Sequence, residues 1–139
     1  MTRTIATLLA CALFVAAPAY AQDDGDYRDR LNDLVTISGI FGEMHHIRRN
    51  CDPRREGDVW RDRMKKLIDF EGPQGPARER MVGAFNDGYR AAQRRFDYCD
   101  RDARDYAARR AATGDAIVAR LMAPLYSSLG QAGQLGDEL

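Results

Sequence analysis

Apolar side chains between residues 82 and 99 recur at every third or fourth position, and this spacing constrains the fold more than any other feature. The positions are Val82, Phe85, Tyr89, Ala92, Phe96 and Cys99. Such spacing places side chains along one face of an α-helix, where they pack against a core. The intervening positions carry mainly Arg, Asp and Gln, which belong on a solvent-facing side. The pattern predicts an amphipathic helix that begins at Gly75-Pro76 and ends at Cys99.

Three other segments show helical spacing of apolar residues, and no segment shows the alternation typical of a strand. They cover residues 26–50, residues 58–71, and residues 102 to 122 or 125. Their apolar residues are Leu31, Leu34, Ile37, Phe41 and Met44; then Trp60, Met64, Leu67 and Ile68; then Tyr106, Ile117, Val118, Leu121 and Leu125. The sequence therefore predicts an all-α fold, a small bundle of about four helices. Trp60 is the predicted core anchor of the second helix.

The first residues predict export. Arg3 precedes an apolar run over residues 5–17, and Ala19-Tyr20-Ala21 stands immediately before Gln22. A basic start, a short apolar segment and small residues before the cut are the parts of a secretory signal peptide. The run is shorter than the roughly 20 apolar residues that cross a membrane. We expect a signal peptide over residues 1–21, a periplasmic location and no membrane span after cleavage.

A lipoprotein is a minor alternative. Leu8-Leu9-Ala10-Cys11 has the form of a bacterial lipobox, which would make Cys11 a lipidated N-terminus. However, Cys11 follows Arg3 closely, and the apolar stretch continues beyond it. A lipoprotein usually carries a polar tether at that place, so the sequence favours the cleaved signal.

Removing residues 1–21 from the 139-residue chain would leave 118, enough for one domain. We expect a single helical domain over residues 22–125 and a flexible, glycine-rich tail over residues 126–139. The full chain has 21 basic and 21 acidic side chains. Cleavage would remove one basic residue, Arg3, so the mature chain is almost neutral. This balance, together with export, argues against nucleic acid as a partner.

Two cysteines, Cys51 and Cys99, remain after the expected cleavage. An isolated pair in an oxidising compartment most often forms a disulfide. Both lie on apolar faces at the ends of predicted helices, so a bond would fasten two helix ends together. The pair lacks the CxxC spacing of redox enzymes. We predict one structural disulfide.

The stretch GEMHHIRRNC, residues 42–51, contains the residues with the strongest claim to a function. On a helical projection, Arg48 lies in the middle of the apolar face that contains Phe41. His45 lies at the edge of that face, and His46 points away from it. Arg48 either covers apolar surface with its stem and caps the helix end, or lines a small polar pocket with His45.

In the pocket interpretation, Tyr89 or Asn86 of the third predicted helix would meet His45 and Arg48. Zinc requires three or four ligands, and the chain has two histidines. Cysteines held in a disulfide cannot bind a metal. We therefore expect no metal and no cofactor. The sequence also lacks a recognisable catalytic motif, so we expect that the protein is not an enzyme.

Three blocks of the chain carry a resemblance to a known family. They are ISGIFGEMHHIRRNC, VWRDRMKKLIDFE and RERMVGAFNDGYRAAQRRFDYC, which cover most of residues 37–99. The pattern resembles an uncharacterised family of small exported alphaproteobacterial proteins, a domain of unknown function with two well-separated cysteines. The resemblance implies a periplasmic helical protein with a disulfide. It implies no activity, because none is established for that family.

Two classes of function fit these observations. The first is a non-enzymatic periplasmic protein that binds an envelope protein or a cell-wall component through its helical surface. The alternative is a small disulfide-bonded stress chaperone that exposes apolar surface in acid, an interpretation that rests on architecture alone. The sequence fixes no oligomeric state.

Overall fold

The computed structural model describes the backbone of residues 20–136 and the side chains of residues 25–128. It contains five α-helices: α1 (Tyr20–Cys51), α2 (Pro53–Glu56), α3 (Val59–Glu71), α4 (Gly75–Arg95) and α5 (Arg101–Gly136). Within residues 20–136 no strand occurs, which confirms the predicted all-α bundle of four main helices. The single turn α2 was not predicted; Pro53 stands in its first turn, where a missing N–H is tolerated.

Most of the predicted signal peptide, residues 1–19 with Cys11, lies outside the described residues. The signal peptide and the lipoprotein alternative therefore stay predictions. Among the described residues, no helix has the length and apolar character needed to cross a membrane.

Helix α1 is the centre of the bundle, because α2, α3, α4 and α5 all pack against it. Its most deeply buried apolar residues are Leu34, Ile37, Ile40, Met44 and Ile47. The sequence centred the buried face on Phe41, which is only half-buried. Ile40 and Ile47 lie about 100° to 120° round the helix from Phe41 and are almost fully buried. A helix surrounded by neighbours buries more than one face, so a single narrow stripe describes it poorly.

Helices α1 and α4 approach each other closely because glycine stands at their contact. A Cβ atom added to Gly88 would overlap the carbonyl oxygen of Gly39, and one added to Gly42 would overlap that of Phe85. Only a residue without a Cβ lets two backbones come this near. Gly42 and Gly88 therefore set the separation of the two helices that contain most of the residues in the predicted site.

The buried face of α4 is shifted by about one position from the predicted one. Met81, Gly88 and Ala92 are buried, whereas Val82 is 39% exposed. The helix also ends at Arg95 rather than at Cys99. The prediction was wrong here because apolar residues continue past the helix end into the connection to α5, where Phe96 remains buried.

Helix α5 differs from the sequence prediction at its C-terminal end. It begins at Arg101 and continues past the predicted end, residue 122 or 125, to Gly136 with Pro124 inside it. The predicted flexibility of residues 126–139 stays a prediction. Val118 and Leu125, which were expected to face the core, are 44% and 52% exposed.

A disulfide joins Cys51 to Cys99, with an Sγ–Sγ distance of 2.08 Å and a Cα–Cα distance of 5.0 Å. Cys51 is the last residue of α1, and Cys99 lies in the connection between α4 and α5. The bond confirms the predicted pairing. It ties the C-terminal end of α1 to the connection that follows α4.

Candidate functional site

His45 is buried between α1 and α4, with 5% of its surface exposed. Its ring lies 5.9 Å from the ring of Phe85 and 5.6 Å from that of Tyr89, measured between centroids. The Nδ1 atom is buried and has no hydrogen-bond partner among the described residues. Burial lowers the pKa of His45 below its ordinary value of 6.5. The positive charges of Arg49 and Arg61 lower the pKa further, against an opposing effect of Asp58.

We expect the free energy of unfolding to fall as the pH drops from about 7.5 to 5.5. The unfolded chain binds a proton on His45 near pH 6.5, before the folded protein does, so acid favours unfolding. A His45→Leu variant removes this proton-binding group, and its stability should fall less over the same range. Urea denaturation at several pH values measures both proteins. Equal pH dependence of the two would contradict the prediction.

His46 is also buried, contrary to the sequence prediction that it points away from the apolar face. It is 8% exposed, and its Nε2 atom lies 2.7 Å from the carbonyl oxygen of Phe96. A carbonyl only accepts, so this nitrogen is protonated and donates the bond. The His46 ring also meets Tyr89 edge-on, with centroids 5.4 Å apart. Helix α4 and the residue that follows it cover the side of α1 expected to face solvent.

Arg48 lies close to α2. Its Nε atom lies 3.7 Å from Oε2 of Glu56, and the same oxygen accepts a 2.8 Å hydrogen bond from Nε1 of Trp60. Asn86 is exposed on α4. The structure thus brings His45 and Tyr89 together, and no described contact joins Arg48 or Asn86 to them. Whether any of the four has a function stays a prediction.

Trp60 is half-buried and packs against the larger core cluster. Its ring lies 5.7 Å from that of Phe41, and the guanidinium of Arg63 lies 4.4 Å above it. The indole N–H bond to Glu56 satisfies its polar atom. Whether Trp60 is the core anchor of α3 stays a prediction.

A polar contact that the sequence did not indicate joins α1 to α5. Glu43 forms a 2.5 Å ion pair with Arg110, and both side chains are largely buried. Both carboxylate oxygens of Glu43 accept hydrogen bonds from Arg110, and burial, followed by the Glu43 charge, raises the pKa of the nearby Tyr106. The carboxylate is fully engaged, so this group fixes the position of α5 rather than offering a free reactive side chain.

A cleft of about 750 Å³ lies between the N-terminal part of α1 and the C-terminal half of α5. It is lined by Asp26, Tyr27, Asp29, Arg30, Asn32, Asp33, Arg120, Leu121 and Pro124. Tyr27, Leu121 and Pro124 form its apolar part, and Tyr27 is 61% exposed. We call this region the α1–α5 cleft. The ring of Tyr27 in this cleft is largely exposed and belongs to neither core cluster.

The charges around the α1–α5 cleft divide into paired and unpaired groups. Arg30 binds Glu71 through two hydrogen bonds of 2.8 and 2.9 Å. Arg120 binds Asp33 at 2.6 and 3.1 Å, a contact that raises the pKa of Arg120. The remaining carboxylates, Asp26 and Asp29, are exposed and have no cationic partner among the described residues. The rim of the cleft is therefore acidic.

Sequence reasoning missed the α1–α5 cleft because its two walls are far apart in the chain. The contact between the Arg30 side chain and the Leu121 carbonyl spans 91 positions, and the pair Asp33–Arg120 spans 87. No local spacing indicates such a meeting. Among the described residues, no group of three or more His, Cys, Asp or Glu side chains could hold a metal ion.

A family described as "Protein of unknown function (DUF2385)" matches residues 21–125. The chain belongs to this family. The matched range contains both cysteines of the disulfide, His45, Trp60 and every residue that lines the α1–α5 cleft. A search of curated proteins and a search of solved structures each found no match. The description of the family gives no activity, so the function has to be argued from the surface.

Proposed function

We propose that this protein is an exported, non-enzymatic binding protein of the bacterial cell envelope, and that it binds its partner in the α1–α5 cleft. The observation that carries the proposal is the exposed ring of Tyr27 beside Leu121 and Pro124 in a cleft of about 750 Å³. Concave surfaces of this size with an exposed aromatic residue are common binding sites for partner molecules.

The acidic rim indicates the chemistry of the partner. Asp26 and Asp29 would attract a protein segment in which basic residues stand on either side of an apolar residue. The apolar side chain would lie against Tyr27 and displace water from Leu121 and Pro124. We therefore favour an envelope protein with such a segment over an uncharged cell-wall component.

The proposed compartment rests on two supports. The first residues have the order of a signal peptide, with Ala19-Tyr20-Ala21 before the expected cut. The Cys51–Cys99 disulfide requires an oxidising environment to persist, which the periplasm provides. Intact-mass measurement of protein from its native host tests the proposal, with a mature chain that begins at Gln22 as the expected result. A lipidated species that begins at Cys11 would contradict the soluble form.

The binding test compares three versions of the mature protein as baits, with crosslinking to periplasmic and membrane fractions. We expect wild type to capture an envelope protein that the double variant Tyr27→Ala/Asp29→Arg loses. Phe70→Ala is the matched control, because Phe70 is an exposed aromatic residue, 89% accessible, that does not line the cleft. Capture that survives the double variant, or that the control also loses, would remove the cleft from the proposal.

A stress chaperone is the second candidate, and the burial of His45 is the observation that favours it. Acid would place a charge in the contact between α1 and α4, close to the positive charges of Arg49 and Arg61. Such a change would loosen the bundle and expose its core. Suppression of the aggregation of an unfolded test protein at pH 5, absent at pH 7.5, would support the chaperone over the binding protein.

A further inference from the structure

The two sulfur atoms of the Cys51–Cys99 disulfide have different surroundings. Nη1 of Arg104 lies 3.4 Å from Sγ of Cys99 and donates a hydrogen bond to it, whereas no side chain among the described residues donates one to Sγ of Cys51. Both cysteines are only half-buried, so solvent reaches this end of the bundle. A guanidinium held against one sulfur stabilises negative charge on that sulfur and not on the other.

The two helix ends beside the disulfide add to this difference. Cys51 is the last residue of α1, where the aligned peptide dipoles leave a partial negative charge. Cys99 precedes the first residue of α5, Arg101, by two positions, and the first turn of that helix carries a partial positive charge. A thiolate is therefore better stabilised at Cys99 than at Cys51.

The other charged groups close to the bond do not reverse the difference. Each cysteine is followed by an aspartate, Asp52 or Asp100, so repulsion by the next residue acts on both sulfurs. Oδ1 of Asp100 also accepts a 2.7 Å hydrogen bond from the N–H of Ala103, which disperses part of its charge. The nearby arginines with other partners are Arg48, which pairs with Glu56, Arg101, which pairs with Asp105, and Arg95, which lies over Phe96 and Tyr106. Arg104 is the arginine whose side chain contacts a sulfur atom.

We propose that the Cys51–Cys99 disulfide is a site of thiol–disulfide exchange with a dithiol, in which the dithiol attacks Cys51 and Cys99 leaves as the thiolate. The rate of exchange rises as the leaving thiolate becomes more stable, and it depends on which of the two sulfurs is attacked. The contact with Arg104 favours departure of Cys99 and so directs the attack to Cys51. Paired thiols are the reactive groups of disulfide oxidoreductases, and a protein of that chemistry would be the partner.

The exchange takes two steps. In the first step a thiolate of the dithiol bonds to Sγ of Cys51, the Sγ–Sγ bond breaks, and its electron pair leaves on Sγ of Cys99. In the second step the other thiol of the dithiol gives its proton to solvent and attacks the dithiol's own sulfur in the mixed disulfide. Cys51 departs with the electron pair and takes a proton from solvent. The dithiol is oxidised to a disulfide, and the two cysteines are reduced by two electrons in total.

Exchange would change one end of the bundle. The bond ties the last residue of α1 to the connection between α4 and α5, so its opening frees that connection from α1 at this point. The α1–α5 cleft lies between the N-terminal part of α1 and the C-terminal half of α5, at the other end of both helices. The exchange site therefore does not depend on the cleft.

Reduction of the folded, disulfide-bonded protein by dithiothreitol at pH 7.5 tests the proposal. The rate for wild type should rise in proportion to the dithiothreitol concentration, as direct attack on the folded protein requires. Arg104→Gln should be reduced about threefold more slowly, because the leaving thiolate loses its guanidinium. Arg101→Gln is the matched control, since it removes the same charge from the start of α5 at a residue that pairs with Asp105, and it should react like wild type. All three proteins keep the disulfide, so none loses its support for the fold.

Glutathione identifies the sulfur that is attacked. Brief reaction of wild type with this monothiol, followed by alkylation with iodoacetamide and mass mapping, should place glutathione mainly on Cys51 and the alkyl group mainly on Cys99. Glutathione mainly on Cys99, or spread equally, would overturn the proposal. A reduction rate independent of dithiothreitol concentration would also overturn it, because the bond would then react only after unfolding, as would equal rates for Arg104→Gln and Arg101→Gln. Tyr27→Ala should exchange like wild type, so failure of this proposal and failure of the cleft are distinguishable.

Discussion

Replacing Gly88 with alanine is expected to destabilise the fold by about 3 kcal/mol, the upper end of the usual range for an overfilled core. The added Cβ atom would overlap the carbonyl oxygen of Gly39, which belongs to the backbone of α1. A backbone atom cannot rotate away as a side chain can, so α1 and α4 would have to separate. Urea denaturation of the variant and wild type at pH 7.5 measures the difference.

Gly83→Ala is the matched control for this prediction. Gly83 lies on the same helix, and a Cβ atom added there meets nothing within 4 Å. Alanine is the better helix former by up to about 1 kcal/mol, so this variant should be as stable as wild type or more stable. Equal behaviour of the two variants would show that helix propensity, rather than the close approach of two helices, decides the outcome.

Removing the disulfide is expected to destabilise the protein by about 2–4 kcal/mol. The bond closes a segment of 48 positions and restricts the unfolded chain, a loss of freedom worth roughly 4 kcal/mol at most in the chain-entropy model. The double variant Cys51→Ser/Cys99→Ser avoids a free thiol and is the form to measure. Wild type in reductant should unfold with the same midpoint as the double variant. Thiols that react in unreduced, unfolded wild type would show that the bond is absent.

The sequence predicted the fold well where a helix buries one side. In α3 a single stripe led by Trp60 marks the packed face, and Met64 is its buried member. The pairing of Cys51 with Cys99 was also predictable, because they are the two cysteines that the expected signal-peptide cleavage leaves, and two cysteines allow one pairing. Chain-local spacing and cysteine count are sufficient for these features, since neither depends on which helices become neighbours.

Prediction was poorest for α1, because its surroundings depend on the whole bundle. His46 appeared to face solvent, yet the residues after α4 cover it and Phe96 accepts its hydrogen bond. Arg48 appeared to face the core, yet it reaches Glu56 on a helical turn that the pattern did not show. The close contact at Gly42 cannot be predicted from the spacing of apolar side chains, because glycine has no side chain. Periodicity measures amphipathic character, and a central helix has little of it.

The order in which the chain is made has a consequence for α1. This helix is synthesised before any of its partners, and the carbonyl that accepts the His46 bond comes 50 positions later. Until Phe96 has emerged, Ile40, Met44 and Ile47 have no core to enter. The nascent chain therefore passes through a stage in which these apolar side chains are accessible to binding factors and proteases. The contact between α1 and α4 can form only after α4 has been made, so the newly made protein reaches its native state late in synthesis.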